Sequence, residues 1–399
     1  MQYDLVFEGG GAKGMVFVGA MQEFEAGGHG FGRLIGTSAG AITASLLAAG
    51  YDSARMLDAL GEQENGQPVF AGFLGEPGPF EAAVIQSSVT VDLLNRVDIP
   101  LVPDSWEERA SIGIVNGLLK LSRFRHIFSF VEQGGWFTAA KFVEWMTKRL
   151  DEGPGGARTG FGAMTLQQFH GATGRELTLI ASDTAAQRML VLNHRTAPDC
   201  PLVWAVRMSM SIPLVWPEVE WQEAWGTYRG REMKGHTIVD GGVLSNFPIE
   251  LLVSTQPPAT TVMGQKTSEH VLGFLIDETL DVPNAPQPVA AASRRFDLGE
   301  LRTGHRLMAL VDTMTGARDK DVIEAFDELV VRMPAKGYGT MEFGMSPERR
   351  DALVTAGREA TREHFRRAAE PKRRPKGLPP TEEERRAAIA ERVASRILR

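Results

Sequence analysis

The sequence predicts an α/β protein: a mostly parallel central sheet sandwiched by helices in three layers, with a helical insertion and a basic C-terminal tail. Three features point to it. Short apolar runs at Leu5–Phe7, Leu34–Ile35 and Thr237–Val239 read as strands, and each runs into a glycine-rich turn. The first two turns open into helical stretches, so strand and helix alternate along the chain. Between Gln67 and Leu150 that rhythm gives way to apolar runs broken by glycine and proline. Open α/β sheets gather ligand and catalytic groups at their strand ends, which makes the three turns the candidate site.

The first turn is Gly9-Gly10-Gly11-Ala12-Lys13-Gly14. It fits the dinucleotide fingerprint Gly-x-Gly-x-x-Gly, but that fingerprint needs a carboxylate at the tip of the second strand, about 20 residues on. The second strand ends in Ile35-Gly36-Thr37-Ser38, with none there. The turn also lacks the Gly-Lys-Ser/Thr ending of a Walker loop. Glycines opening into a helix over 12–25 instead expose backbone N–H groups. Such groups can hold the anionic oxygen of a tetrahedral intermediate, each donor being worth ~3–4 kcal/mol. Lys13 adds either positive potential at the loop or a solvated surface charge.

The second turn, Gly36-Thr37-Ser38-Ala39-Gly40, has the Gly-x-Ser-x-Gly pattern of a nucleophile on a sharp strand-to-helix corner, where only small neighbours fit. The alanine- and leucine-rich run that follows closes on Gly50 and predicts a buried helix. Ser38 then heads that helix, where its dipole favours an alkoxide. In a chain with 43 glycines the pattern alone fits equally a tight turn with no chemistry.

A serine nucleophile needs a group to take its proton, in the familiar triad a histidine held by an acid. His126, His170, His194, His236, His270, His305 and His364 follow Ser38, and of these only His236 stands beside a predicted strand end. The third turn, Asp240-Gly241-Gly242, ends a β-branched run with two glycines that permit close approach. Its aspartate reads either as an ordinary Asp-Gly turn or as a base. An unperturbed carboxylate, pKa about 3.9, is a poor base at neutral pH, so the second role requires desolvation.

Together the three motifs resemble the patatin-like phospholipase family in its bacterial branch, whose pattern is a glycine-rich oxyanion loop, a Gly-x-Ser-x-Gly elbow and a downstream Asp-Gly-Gly. The resemblance implies a serine–aspartate dyad without histidine: Ser38 as nucleophile and Asp240 as base. It further implies an oxyanion hole from the backbone of Gly10, Gly11, Ala12 and Lys13, with Gly9, Gly14, Gly36, Gly40, Gly241 and Gly242 supporting the motifs. Lesser similarities are Ile180–Thr184, Met210–Pro213, Asn246-Phe247-Pro248, and Val330–Phe343 with a helix from Pro347, so the likeness extends over residues 3 to 369. The implied function is a serine acyl hydrolase releasing fatty acids from lipid esters, of phospholipase A or lysophospholipase type, with no cofactor or metal. Two rivals stay open. One is a Ser-His-Asp esterase of α/β-hydrolase type using Asp277 with His305 or His364. The other is a non-catalytic scaffold binding a nucleotide or a membrane through the glycine loop.

Composition agrees with an ordinary globular protein: 399 residues, 43% hydrophobic and 23% charged. One cysteine, Cys200, excludes internal disulfides. The N-terminus lacks the basic and apolar regions of a signal peptide, and no apolar run reaches the ~18 residues of a membrane span, so a cytoplasmic protein is expected. The expected partners are a lipid substrate and, peripherally, a membrane surface; no nucleic acid is expected, and the oligomeric state is open. Residues 362–399 hold twelve Lys/Arg against six Asp/Glu in a chain of net charge −7. The expected domains are 1–369 as the acyl hydrolase and 370–399 as a tail. Within the tail, Pro371–Pro380 reads as an extended linker and Thr381 with Glu384 as a capping box. The basic tail suits anionic lipid head groups, or docks on the acidic body of its own or a neighbouring chain with the stripe Ile389, Val393 and Ile397 of its last helix as the contact. Inside 1–369, residues 67–150 form the helical insertion or cap. There Leu118–Phe128 alternates apolar and basic residues, as a lid meeting acyl chains does, or as a helix packed on the core with its basic face in water. Trp204, Trp216, Trp221 and Trp225 read as packing residues.

Overall fold

A computed structural model describes residues 1–64, 66–95, 104–153, 158–287, 325–369 and 382–398. The predicted strands form, with others, one mixed sheet. Its left half is parallel: β10 (Val330–Lys336), β9 (His270–Asp281), β1 (Gln2–Phe7), β2 (Gly30–Thr37) and β5 (Leu177–Asp183) lie side by side in that order. Beyond β5 the direction reverses, because β6 (Arg188–Leu192) and β8 (Thr237–Asp240) pair with it antiparallel, and the short β7 (Val219–Glu220) pairs antiparallel with β8. A separate two-stranded hairpin joins β3 (Gln63–Glu64) to β4 (Gln67–Pro68).

Alternation along the strands creates the three layers. Leu5 and Phe7 enter one apolar cluster while Val6 enters another; Leu34 and Ile35 divide the same way, as do Leu179 and Ile180. Both faces are therefore covered, as a parallel sheet requires. On the first face lie α1 (Val16–Ala26), α2 (Ala39–Ala48) and a long helix from Pro347 to Ala369. The second face is closed by α11 (Glu250–Val253), α12 (Ala259–Met263) and the tail helix Glu382–Ile397.

That tail helix docks on its own chain. Ala390, Ala394 and Leu398 are buried in the cluster of Leu251, Leu252 and Val262, with Ile389 and Val393 packed at its margin. Arg229 Nη1 also donates to the Leu398 carbonyl at 3.2 Å. The linker Pro371–Pro380, Thr381 and the side chains of Glu384 and Ile397 lie outside the described residues.

The segment 67–150 divides by its packing. Phe73, Trp136, Phe142 and Trp145 belong to the main core, whereas Ile85, Val91, Val115 and Phe128 make a small cluster of their own. Around that cluster stand α4 (Ala82–Gln86), α5 (Val89–Asn95), α6 (Asp104–Leu118) and α7 (Ser122–Gln133). On α7, His126, Phe128 and Ser129 turn inward. Its outer face is not purely basic: Ile127 and Val131 are exposed, as are Val89, Leu93 and Leu121 nearby in the cap. Trp216, Trp221 and Trp225 are buried as expected; Trp204 is partly exposed and lies against Trp225. Among the described residues no helix is long and apolar enough to cross a membrane.

Candidate active site

Ser38 occupies the single residue between β2 and α2, with φ 52° and ψ −117°. A non-glycine residue there is strained, which only a rigid surround sustains. The surround is the glycine framework. A Cβ on Gly36 would stand 2.2 Å from the Gly40 carbonyl, and one on Gly40 would stand 2.2 Å from that of Phe7. Every residue of α2 is buried, so the helix cannot shift to relieve the corner.

The glycine loop lies on top of this corner. A Cβ at Gly9 would come within 3.0 Å of Ser38 Cβ, and one at Gly14 within 2.7 Å of Ala39 Cβ. Of the four amides expected to hold an oxyanion, two are engaged elsewhere: Ala12 N–H donates to the Thr340 carbonyl at 2.9 Å and Lys13 N–H to that of Gly10 at 3.2 Å. These bonds arise because the loop enters a tight 3-10 turn over Gly11–Met15. The N–H groups of Gly10 and Gly11 find no acceptor among the described residues. Gly11 sits at φ 55°, and a Cβ on it would strike the Thr340 carbonyl at 2.2 Å. Lys13 is no solvated lysine: its side chain is buried and its Nζ is paired with Glu278. Its charge is met there and does not stand free at the loop.

Asp240 reaches the corner from an unexpected direction. β6 occupies one edge of β5 from Leu179 to Asp183, so β2 and β8 share the other edge. β2 pairs along it up to Ile180 and β8 from Ala181, and the two strands therefore meet end to end. Gly241 makes the meeting possible, since a Cβ there would lie 2.4 Å from the Ile180 carbonyl. Asp240 Oδ1 accepts from Gly242 N–H at 2.8 Å, while Oδ2 is buried with no well-formed hydrogen bond among the described residues. Burial pushes the carboxyl up to about 7; the Ser38 hydroxyl and the Gly242 N–H pull it weakly back. The Ser38 hydroxyl is thus close enough to Asp240 to lower its pKa, in a contact too loose for a well-formed hydrogen bond.

The histidines lie elsewhere. His236 Nδ1 is 2.9 Å from Asp183 Oδ2, a real His–Asp pair, but it stands at the start of β8, four residues and roughly 13 Å of strand from Asp240. Asp277 is bound by Thr279 and Arg332, and His364 rests on its helix against Phe365. His305 lies outside the described residues. His170 and His194 stack at 3.6 Å, with a Glu176 oxygen within 4.8 Å of their ring nitrogens; both Glu176 oxygens accept from Arg195. An open cleft lined by Ala12, Met15, Leu60, Phe70 and Phe343 borders the loop, and neither Ser38 nor Asp240 lines it.

Sequence reasoning missed three residues that the fold brings to the corner. Ser209 Oγ accepts from Ser38 N–H at 3.0 Å. Asn246 Nδ2 donates to the Gly9 carbonyl at 3.0 Å and to Glu8 Oε1 at 3.2 Å, and Glu8 Oε2 accepts from Ile276 N–H at 2.6 Å. Signals were available in Glu8, next to the first glycine of the loop, and in the family likeness of Asn246-Phe247-Pro248 and of Met210–Pro213 beside Ser209, but none of these gave Ser209, Asn246 or Glu8 its partner at the corner.

A family model for patatin-like phospholipase matches residues 5–253. The Bacillus subtilis (strain 168) protein YqhO, described as uncharacterized, is 26% identical over 368 residues, covering 90% of this chain and 97% of its own. Among solved structures, VipD from Legionella pneumophila aligns with 17% identity and a TM-score of 0.46, covering 92% of this chain and 67% of that one. The type III effector ExoU of Pseudomonas aeruginosa aligns with 18% identity and a TM-score of 0.36, over 92% of this chain and 53% of that one.

Proposed function

The chain belongs to the patatin-like phospholipase family of lipid-hydrolysing enzymes, and on that premise we propose that it releases fatty acids from lipid esters through a Ser38–Asp240 dyad. Asp240, as carboxylate, takes the Ser38 proton while Oγ attacks the ester carbonyl. The N–H groups of Gly10 and Gly11 and the head of α2 face the oxyanion. Collapse expels the alcohol, which takes the proton from Asp240, and leaves an acyl ester on Ser38. Asp240 then deprotonates a water, which attacks that ester; fatty acid departs and the proton returns to Ser38.

One observation carries this assignment: a carboxyl buried beside a strained serine and pushed up to about 7, where it exchanges protons readily at neutral pH. A fluorophosphonate probe should label wild type and not Ser38→Ala, and fatty-acid release from defined phospholipids and lysophospholipids should vanish with the label. Labelling or turnover that survives Ser38→Ala would falsify the dyad.

The cap favours a second element of the proposal. Val89 and Leu93 on α5, Leu121, and Ile127 and Val131 on α7 are each 46–58% exposed, in a cap that also carries the exposed basic residues Lys120 and Arg123. Its stem is tied to the site, because Trp136 N–H donates to the Leu214 carbonyl and Phe137 N–H to that of Val215. A cytoplasmic enzyme would use these cap residues to rest peripherally on the bilayer that holds its substrate.

A further inference from the structure

Between β2 and β5 the ladder runs regularly until it reaches the nucleophile. Leu34 N–H donates to the Glu176 carbonyl at 2.8 Å. A parallel ladder repeats every second residue, which sets Ser38 N–H to donate to the Ile180 carbonyl. That bond is replaced. Ser209 Oγ stands between the two groups, accepting from Ser38 N–H at 3.0 Å and donating to the Ile180 carbonyl at 2.5 Å. Two residues on, the Ser211 carbonyl accepts from Asp240 N–H at 2.9 Å. Ser211 is itself fixed from below: its hydroxyl donates to the Arg207 carbonyl at 2.6 Å and accepts from the Arg207 guanidinium, whose Nη2 also donates to the Pro217 carbonyl at 2.8 Å. All three side chains are buried.

We propose that Ser209 is a positioning residue, its hydroxyl inserted into the β2–β5 ladder to hold the Ser38 corner open, and that the same short strap fixes Asp240 through Ser211. This rests on Ser38 and Asp240 being the dyad. Two hydrogen bonds in series span more distance than one, and the added length lets the chain leave β2 at Ser38 with its positive φ. Without the hydroxyl, Ser38 N–H and the Ile180 carbonyl are free to close on each other. The ladder then completes itself and Oγ is drawn back from Asp240. The strap thus acts on the geometry of the pair and leaves the fold intact.

The test compares full-length wild type, Ser38→Ala, Ser209→Ala and Ser45→Ala on p-nitrophenyl butyrate, with fluorophosphonate labelling rates and melting temperatures. Ser45, on α2, is equally buried and its hydroxyl has no hydrogen-bond partner among the described residues, so it controls for loss of a buried hydroxyl as such. Ser209→Ala should lose at least about tenfold in kcat and in labelling rate with KM within about twofold, since misplacement of a reacting group is felt in turnover. Its melting temperature should stay within about 3 °C of wild type, and Ser45→Ala should behave as wild type. Should Ser209→Ala fail to fold, Ser209→Gly removes the same hydroxyl and carries the same expectations. A kcat within twofold of wild type overturns the proposal, as does a loss no larger than the unfolded fraction at the assay temperature. An active Ser38→Ala would instead remove the dyad on which the proposal stands, whereas a dead Ser38→Ala beside a fully active Ser209→Ala overturns the strap alone.

Discussion

Replacing Asp240 with asparagine should abolish turnover and stabilise the protein, and the stabilisation should grow with pH. The carboxyl is buried, Oδ2 has no well-formed hydrogen bond among the described residues, and its pKa is raised from 3.8 to about 7. A folded-state pKa above the unfolded one means that the native chain holds the proton more tightly. The cost of the buried carboxylate is therefore absent below about pH 3.8, grows between there and pH 7, and is complete above. At 1.36 kcal/mol per unit, its full size is on the order of 4 kcal/mol, and more than half of it accrues between pH 5 and pH 8. Asparagine keeps the shape, can accept from Gly242 N–H, and carries no charge at either pH. Urea unfolding of both proteins at pH 5 and pH 8 reads the difference directly, and wild-type kcat/KM on a soluble ester should fall as pH drops through about 7, where Asp240 is protonated. Should the stability gain of Asp240→Asn be the same at pH 5 and pH 8, the carboxyl does not titrate near neutrality and its role as base is lost with it.

Gly11→Ala forces a side chain into a positive-φ position against the Thr340 carbonyl, so the loop must shift; displacing the proposed oxyanion donor this way should lower kcat about 10²-fold with KM little changed, measured on a soluble ester. Charges placed on the cap surface, Ile127→Glu with Val131→Glu, should weaken binding to phospholipid vesicles in a flotation assay while leaving soluble-ester turnover as it was; equal flotation would show that this surface does not meet lipid. Truncation after Ala369 uncovers the cluster under the tail helix, and loss of Ala390, Ala394, Leu398 and the margin of Ile389 and Val393 should cost about 3 kcal/mol, seen as a lower melting temperature. Soluble-ester turnover should persist well below that temperature, because no tail residue touches Ser38 or Asp240 among the described contacts.

Local chemistry is what the sequence determined. Apolar runs closed by glycine turns fixed β1, β2 and β8, since period-two burial and crowded corners leave few alternatives to Leu5–Phe7, Gly36–Gly40 and Asp240–Gly242. The family was legible for the same reason: its motifs are short stretches whose spacing is set by local geometry. What depends on neighbours far along the chain was not. The direction of β8 follows from the edge of β5 that β6 leaves free, and a strand run does not encode which edge it will find. Ala12 and Lys13 looked as available as Gly10 and Gly11 until Thr340 and the 3-10 turn took their amides. Lys13 read equally as charge at the loop or a solvated lysine until Glu278, 265 residues away, met it. Ser209, one residue before the Met210–Pro213 stretch, reaches Ser38 only because α10 (Leu202–Ser209) ends against β5. Hydrogen-bond partners and burial are properties of packed surfaces, so the tertiary structure alone decided which donors stay free and which carboxyl is kept from water.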